Sequence, residues 1–339
     1  VLLQDATINA TLALSNTVFK SIEDIAALPS KWFVTEEQRQ ADRHAILREH
    51  LRNDARPFVS IVVLVKSKPE WKNVNDTSLH TLLIPSILKT ITPQEWDQYH
   101  VELLVGFDVG DPFWENSNHR LHVQQSTGPL LINFLALRKR RPTQIPFNAA
   151  CRAAYELGAD YIVRINDDTE FLTPRWITQG VQQLRRFRPP RLGVVGPRCD
   201  QGNVEILTHD MVHRLHLDIF FVEYYPDEFD NWWIDDWIST VYGRNNTRRI
   251  DEWEVYHHVD KHGTRYRVDE ALRRHLATTV KSGRDKIRAY LWQRRRQNGG
   301  KGGGEIRLPK DNMTFQVIGS HHIIPAAWGP SVDRFYNRS

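Results

Sequence analysis

Three groups of side chains in this sequence could do chemistry together. Asn166-Asp167-Asp168 joins an amide to two carboxylates. Asp235-Asp236 is a second carboxylate pair, inside the aromatic and acidic stretch that runs from Glu223 to Ile238. His321-His322 is a pair of imidazoles near the C-terminus. Carboxylates gathered at a ligand site need a cation, and a hard divalent metal suits them. A neutral imidazole can complete such a set. A carboxylate beside a hydroxyl-bearing substrate can serve as a general base. Trp232, Trp233 and Trp237 flank the second pair and offer flat apolar faces that suit the C–H faces of sugar rings. Each group has a plainer reading as well. Asn-Asp and Asp-Asp pairs are common turn residues. Asp235 and Asp236 would also suit a helix N-terminus, with the tryptophans in the core. A histidine pair also suits a polar strand end.

The elements around these groups favour the chemical reading of the first. Val59–Val65 is a continuous β-branched run, the pattern of a strand buried on both faces of a parallel sheet. Leu79–Thr90 reads as a helix stopped by Thr92-Pro93, and Val101–Phe107 as a second strand. Phe147–Gly158 is an Ala-rich helix with a glycine stop. Asp160–Ile165 is the next strand and runs straight into Asn166-Asp167-Asp168. Pro174–Arg186 is a helix with proline at its start, and Leu192–Pro197 is a strand. This alternation predicts a doubly wound α/β fold, with a mostly parallel sheet flanked by helices. In such sheets ligands sit beyond the carboxyl ends of the strands. The residues found there are Lys66-Ser67-Lys68, Asp108 and Asp111, Asn166-Asp167-Asp168, and Arg198 with Asp200. Residues 1–56 read as a peripheral helical extension, and 57–339 as the main unit. Within that unit, 57–200 and 201–339 read as two halves. The second half carries a basic helical insertion at 250–298, a Gly-rich loop at 299–304 and a last short strand at 315–319.

The order of these features resembles the nucleotide-sugar glycosyltransferases of the GT-A fold. The resemblance covers about residues 57–242 and a short piece at 315–323. It rests on the Val59–Lys68 strand and loop, on Asp108 ending the second strand, and on the helix carrying Asn148 before the strand at 160–165. It rests further on Asn166-Asp167-Asp168 in the place of a D-x-D motif, on Asp235-Asp236-Trp237, and on a C-terminal histidine. Asn166 departs from that motif at its first position, while the metal-binding last Asp is kept. The resemblance implies a GT-A, Rossmann-like fold, with 57–200 as a nucleotide-sugar-binding half and 201–339 as an acceptor-binding half. It implies a donor site at Val65, Lys66, Asp108, Asn148, Arg164, Asn166 and Asp167. Mn²⁺ or Mg²⁺ would be held by Asp168 with His321 or His322. Asp236, with Asp235 beside it, would be the base of an inverting transfer, and Trp232, Trp233 and Trp237 would contact sugar. The donor implied is a UDP-sugar, and the acceptor a hydroxyl of a glycan or glycoprotein. Two rivals stand beside this reading. One is a non-catalytic carbohydrate-binding protein on the same scaffold. The other is a nucleotidyltransferase, which the glycine-free Lys66-Ser67-Lys68-Pro69-Glu70 disfavours.

Composition narrows the remainder. The 339 residues are 40% hydrophobic and 25% charged, enough for a core and against wholesale disorder. No apolar run approaches the roughly 20 residues that span a bilayer. Two cysteines, Cys151 and Cys199, exclude a disulfide framework and a four-thiolate zinc site. A net charge of +4 permits an anionic ligand without demanding nucleic acid, so no nucleic-acid partner is expected. Five N-x-S/T sequons, at Asn9, Asn75, Asn245, Asn312 and Asn337, suggest a secretory-pathway protein. With Val1 as the first residue, the expectation is a lumenal, Golgi-type domain separated from a membrane anchor.

Overall fold

The apolar run at Phe58–Val65 forms strand β1. Val59, Ile61, Val63 and Val65 enter one core, and Phe58 and Val62 enter the other. A computed structural model describes residues 55–125, 128–141, 143–259 and 270–297, together with two short strands beyond them. After β1, a π-helical turn at Leu79–Leu83 runs into α1 (Ile84–Thr90). Helix α2 (Pro93–Gln98) begins with a capping box between Thr92 and Glu95. Strand β2 (His100–Asp108), helix α3 (Ser117–Gln125) and strand β3 (Leu131–Leu137) follow. Helix α4 (Phe147–Leu157) stops at Gly158, whose φ of 104° is the left-handed cap that glycine adopts without strain. Next come β4 (Tyr161–Asn166), β5 (Thr169–Phe171), α5 (Trp176–Arg186) and β6 (Val194–Cys199). The second half contributes β7 (Asp210–His213), α6 (Leu215–Ile219), α7 (Ile234–Val241), β8 (Thr247–His257) and α8 (Leu276–Gln297). A separate antiparallel pair joins β9 (Gln316–Ile318) to β10 (His322–Ile324).

The main sheet has eight strands in the order β3-β2-β1-β4-β7-β6-β8-β5. Its first four strands are parallel. Strand β7 then lies antiparallel to both β4 and β6. β8 is parallel to β6, and β5 antiparallel to β8. The fold is therefore α/β, a mixed sheet flanked by helices. One apolar core holds α5 and the Trp176–Trp253 stack, and the other holds α4, α7 and part of α8.

Two regions differ from expectation. A helical insertion was expected at 250–298, but Thr247–His257 is strand β8; among the described residues Glu270–His275 is a 3-10 turn that leads into the α-helix Leu276–Gln297. The cause is an irregularity in the β6–β8 register, where Pro197 faces Ile250 and Arg198 faces Glu254. The break puts the buried Ile250 and Trp253 three residues apart, a helical spacing, so the period of two is hidden. Strand β3 was not anticipated. The extension at 1–56 lies almost wholly outside the described residues, and the Gly-rich loop at 299–304 entirely so. Cys151 and Cys199 are both buried free thiols. No described helix is long and apolar enough to cross a membrane.

Candidate active site

Strand β4 ends at Asn166, and Asp167 and Asp168 make the turn into β5. Strand β5 is only three residues long, but it pairs with the end of β8 so that Thr169 faces His257. The backbone N–H of His258 donates to the Asp168 carbonyl at 2.9 Å and locks that register. As a result His257 Nε2 stands 3.0 Å from Asp168 Oδ1. Asn166 Nδ2 lies 3.3 Å from the same nitrogen. Asp167 and Asp168 are buried. His209 packs edge-on against His257 with ring centroids 5.1 Å apart, and its Nε2 lies 2.9 Å from Thr169 Oγ1. Burial, reinforced by the neighbouring His257 and Arg164, holds the His209 imidazole well below its ordinary range. It is therefore a neutral wall behind His257.

A carboxylate oxygen and an imidazole nitrogen within one coordination sphere form a donor set that suits a divalent cation such as Mn²⁺. Among the described residues no cluster of three or more His, Cys, Asp or Glu is placed to hold a metal. Asp168 and His257 supply two such donors. The sequence expected His321 or His322 beside Asp168. His321 lies outside the described residues, and for His322 only the backbone pairing to Ile318 is described. His257 was missed because the irregularity in β8 concealed the strand that delivers it. The alternation Trp253, Val255, His257 is the signal that would have found it.

The second carboxylate pair opens α7. Trp233 takes φ 75° immediately before the helix, and Asp235 and Asp236 occupy its first turn. Asp235 Oδ1 accepts from Arg164 Nη2 at 2.7 Å. Arg164 is buried on β4 and also donates through Nε to Asp210 Oδ2 at 2.9 Å. Asp210 in turn accepts from the hydroxyls of Tyr224 and Tyr225. Burial opposes the charge on Arg164, but Asp235, Tyr225 and Asp210 outweigh it and hold the guanidinium firmly protonated. Burial likewise pushes the Asp235 carboxyl up to about 6, against the pull of Arg164 and with the push of Asp210. It does so although 30% of the Asp235 side chain is open to solvent. Asp236 is 8% exposed, and its Oδ1 has no hydrogen-bond partner among the described residues. Burial first, and the adjacent Asp235 second, push its carboxyl up to about 7. A carboxylate with an open lone pair and a raised proton affinity is suited to accept a proton near neutral pH.

The other expected site residues are distributed as follows. Val65 is buried at the end of β1, and Lys66 is exposed directly after it. Asp108 ends β2 and pairs with Lys139 at 2.7 Å. Asp111 ties the loops together, accepting from the backbone N–H groups of Ser67, Phe113 and Trp114. The Asn148 amide is committed to the chain itself. Its Oδ1 accepts from the Tyr224 and Tyr225 N–H groups, and its Nδ2 donates to the Tyr225 carbonyl. Arg164, expected beside the donor, instead joins the two halves of the molecule from within the core. Trp233 and Trp237 are buried, and Trp232 is half-buried. Asp210 and its two tyrosines escaped the sequence analysis, because their role depends on a contact between distant segments.

No protein-family model matches the chain, and no curated protein does. Solved structures do resemble it. The mannosyltransferase PcManGT from Pyrobaculum calidifontis, in complex with GDP-Man and Mn²⁺, shares 11% identity over 88% of this chain and 86% of its own, with a TM-score of 0.45. S. aureus TarS 1–349 in complex with UDP-GlcNAc shares 11% identity over 71% of this chain and 74% of its own, with a TM-score of 0.42. GalNAc-T7 with UDP, GalNAc and Mn²⁺ shares 10% identity over 60% and 44%, with a TM-score of 0.40.

Proposed function

We propose that this chain is a divalent-metal-dependent glycosyltransferase, a transferase that moves a sugar from a nucleoside-diphosphate donor to an acceptor hydroxyl. The observation that carries this reading is the Asp168–His257 pair, 3.0 Å apart at the carboxyl end of a central parallel strand. The motif order that resembles the GT-A glycosyltransferases supports it and implies a UDP-sugar. Asp168 and His257 would hold Mn²⁺ or Mg²⁺. When bound, such a cation supplies charge neutralisation to a departing diphosphate. Asp236 takes the proton of the acceptor hydroxyl as the oxygen bonds to the anomeric carbon and the bond from that carbon to phosphate breaks. A base on the acceptor side favours inversion. Asp235 is fixed by Arg164 and acts through Asp236 by raising its proton affinity. The acceptor would be a glycan or glycoprotein. The sequons at Asn75 and Asn245, whose asparagines are exposed, favour a Golgi-type lumen for the protein, with membrane contact through an anchor.

The test is a thermal-shift and donor-hydrolysis screen across nucleoside-diphosphate sugars, with Mn²⁺ and with chelator. One donor should raise the melting temperature and be hydrolysed only with metal. No response to any donor in either condition would overturn the reading.

A further inference from the structure

The cations of this chain are unevenly placed. Helix α8 holds seven Lys and Arg against one Asp, a net charge of +6, while the whole chain carries +4. The rest of the chain is therefore net negative, and the positive charge of the molecule is concentrated on one helix. The inner face of that helix is accounted for by packing, since Leu276, Val280 and Ile287 enter the core shared with α7. Its outer face carries Lys281, Asp285, Arg288, Trp292 and Arg295, all of them exposed. Their alternating steps of four and three residues put them on one stripe along the helix, about 21 Å long. Asp285, the one carboxylate of the helix, is engaged by Arg288. Among the described residues Lys281 and Arg295 have no carboxylate partner.

The plainer reading is that cations near a helix C-terminus complement the helix dipole. That accounts for Arg294, Arg295 and Arg296. It does not account for Lys281 and Arg288, which lie outside the last turn, or for an aromatic ring among them. Trp292 stands between Arg288 and Arg295 on the stripe and is 45% exposed. Phe221 is 74% exposed, and its ring lies 5.6 Å from Lys286 Nζ, on the flank of the same helix. Exposed aromatic rings among cations are the mixture that settles at the headgroup level of a bilayer, where one end of a side chain is wet and the other apolar. The stripe is also the convex outer face of a helix, a shape that meets a broad surface. A nucleic-acid duplex would answer the charge, but phosphate contacts give Trp292 and Phe221 no apolar phase to enter.

We propose that the outer face of α8 docks on an anionic lipid bilayer, with Lys281, Arg288 and Arg295 on headgroup phosphates, Trp292 at the headgroup level and Phe221 at the edge of the contact. The contact is peripheral and is made by the folded chain itself. It depends neither on an anchor nor on the glycosyl-transfer reading.

The experiment is co-sedimentation of the full chain with phosphatidylcholine vesicles, with and without phosphatidylserine, across a salt series. Wild type should bind the mixed vesicles, bind pure phosphatidylcholine far less, and lose binding as salt rises. Lys281→Gln with Arg295→Gln should weaken binding at least about tenfold, the scale expected for two surface cations. Both side chains are exposed, so the melting temperature should stay unchanged. Bromine-labelled lipid should quench the tryptophan emission of wild type more than that of Trp292→Phe. No binding of wild type to the mixed vesicles overturns the proposal. So does unchanged binding in the double variant, or equal quenching in Trp292→Phe. A DNA duplex bound more tightly than the mixed vesicles at the same salt would assign the stripe to nucleic acid and overturn it as well. None of these outcomes bears on the donor reading, which the thermal-shift screen decides separately.

Discussion

The chain carries two adjacent pairs of aspartates, and the fold gives them opposite settings. Asp167-Asp168 lies in a turn at the end of a strand, where a neighbouring strand delivers a histidine to it. Asp235-Asp236 lies in the first turn of a helix. There one member is tied to a buried arginine, and the other has an oxygen with no partner. On the proposed function, the same two residues become a metal-holding edge in one place and a proton-accepting edge in the other. Residue type alone does not separate these roles. What separates them is which partner the topology supplies.

The largest expected effect comes from the second pair. Asp236→Asn should lower transfer by up to about 10⁴-fold, the upper range for loss of a general base. Donor-dependent thermal stabilisation should persist, because the Asp168–His257 edge is untouched. Wild-type activity should rise with pH through about 7, as Asp236 ionises. Stability runs the other way. The folded carboxyl titrates near 7, above its unfolded value of 3.8, so the folded state binds more protons between those values. Stability contributed by that proton is present below pH 3.8 and is lost as pH rises towards 7. The Asn variant should therefore be the more stable protein at pH 8 by chemical denaturation. If it is less stable and fully active, the contrast between the two pairs collapses.

Breaking the first pair should cost somewhat less. Asp168→Ala should reduce metal-dependent turnover by about 10³-fold, the scale of several kcal/mol of charge stabilisation. His257→Ala should do so more mildly and raise the Mn²⁺ concentration needed for half-activity. Titration of donor hydrolysis with Mn²⁺ separates these outcomes. Equal activity with and without chelator in wild type would remove the metal from the comparison altogether.

The two pairs differ in how far the sequence foretold them. Asp168 was legible because its strand is local. An apolar run ending in acids announces itself over ten residues, and β1, β2 and β4 were legible for the same reason. His257 was not, because its strand carries a register break and it reaches Asp168 only through a pairing 89 residues away. Arg164 illustrates the same limit. Its position on β4 was visible, but its clamp on Asp210 and Asp235 spans 46 and 71 residues. Periodicity reports which face of an element is buried. It does not report which distant carboxylate meets that face.

The Arg164 clamp joins the two settings, since one residue on β4 holds the start of α7. Arg164→Leu should destabilise the fold by roughly 3–5 kcal/mol, because it leaves Asp210 and Asp235 buried without their cation. Denaturant unfolding measures that loss. Restoring the fold with the double change Arg164→Leu, Asp210→Asn would locate the cost in the unpaired charge rather than in lost packing.

The smallest effect concerns a carboxylate that belongs to neither pair. Glu102 is fully buried on β2, where Ser60 Oγ donates to Oε2 at 3.0 Å and Asn133 Nδ2 donates to Oε1 at 2.6 Å. Burial pushes its carboxyl up to about 7, and the two hydrogen bonds only partly oppose that push. The folded value is raised above the unfolded 4.5, so stability falls as pH climbs from about 4.5 to about 7 and is flat beyond. Glu102→Gln keeps an acceptor for Asn133 and offers a donor to Ser60 while removing the charge. It should leave stability at pH 4 nearly unchanged and raise it by roughly 1–3 kcal/mol at pH 8. Because Glu102 touches neither aspartate pair, catalytic pH dependence should be the same in the variant. A shifted activity profile would mean that the acid limb belongs to the sheet and not to Asp236.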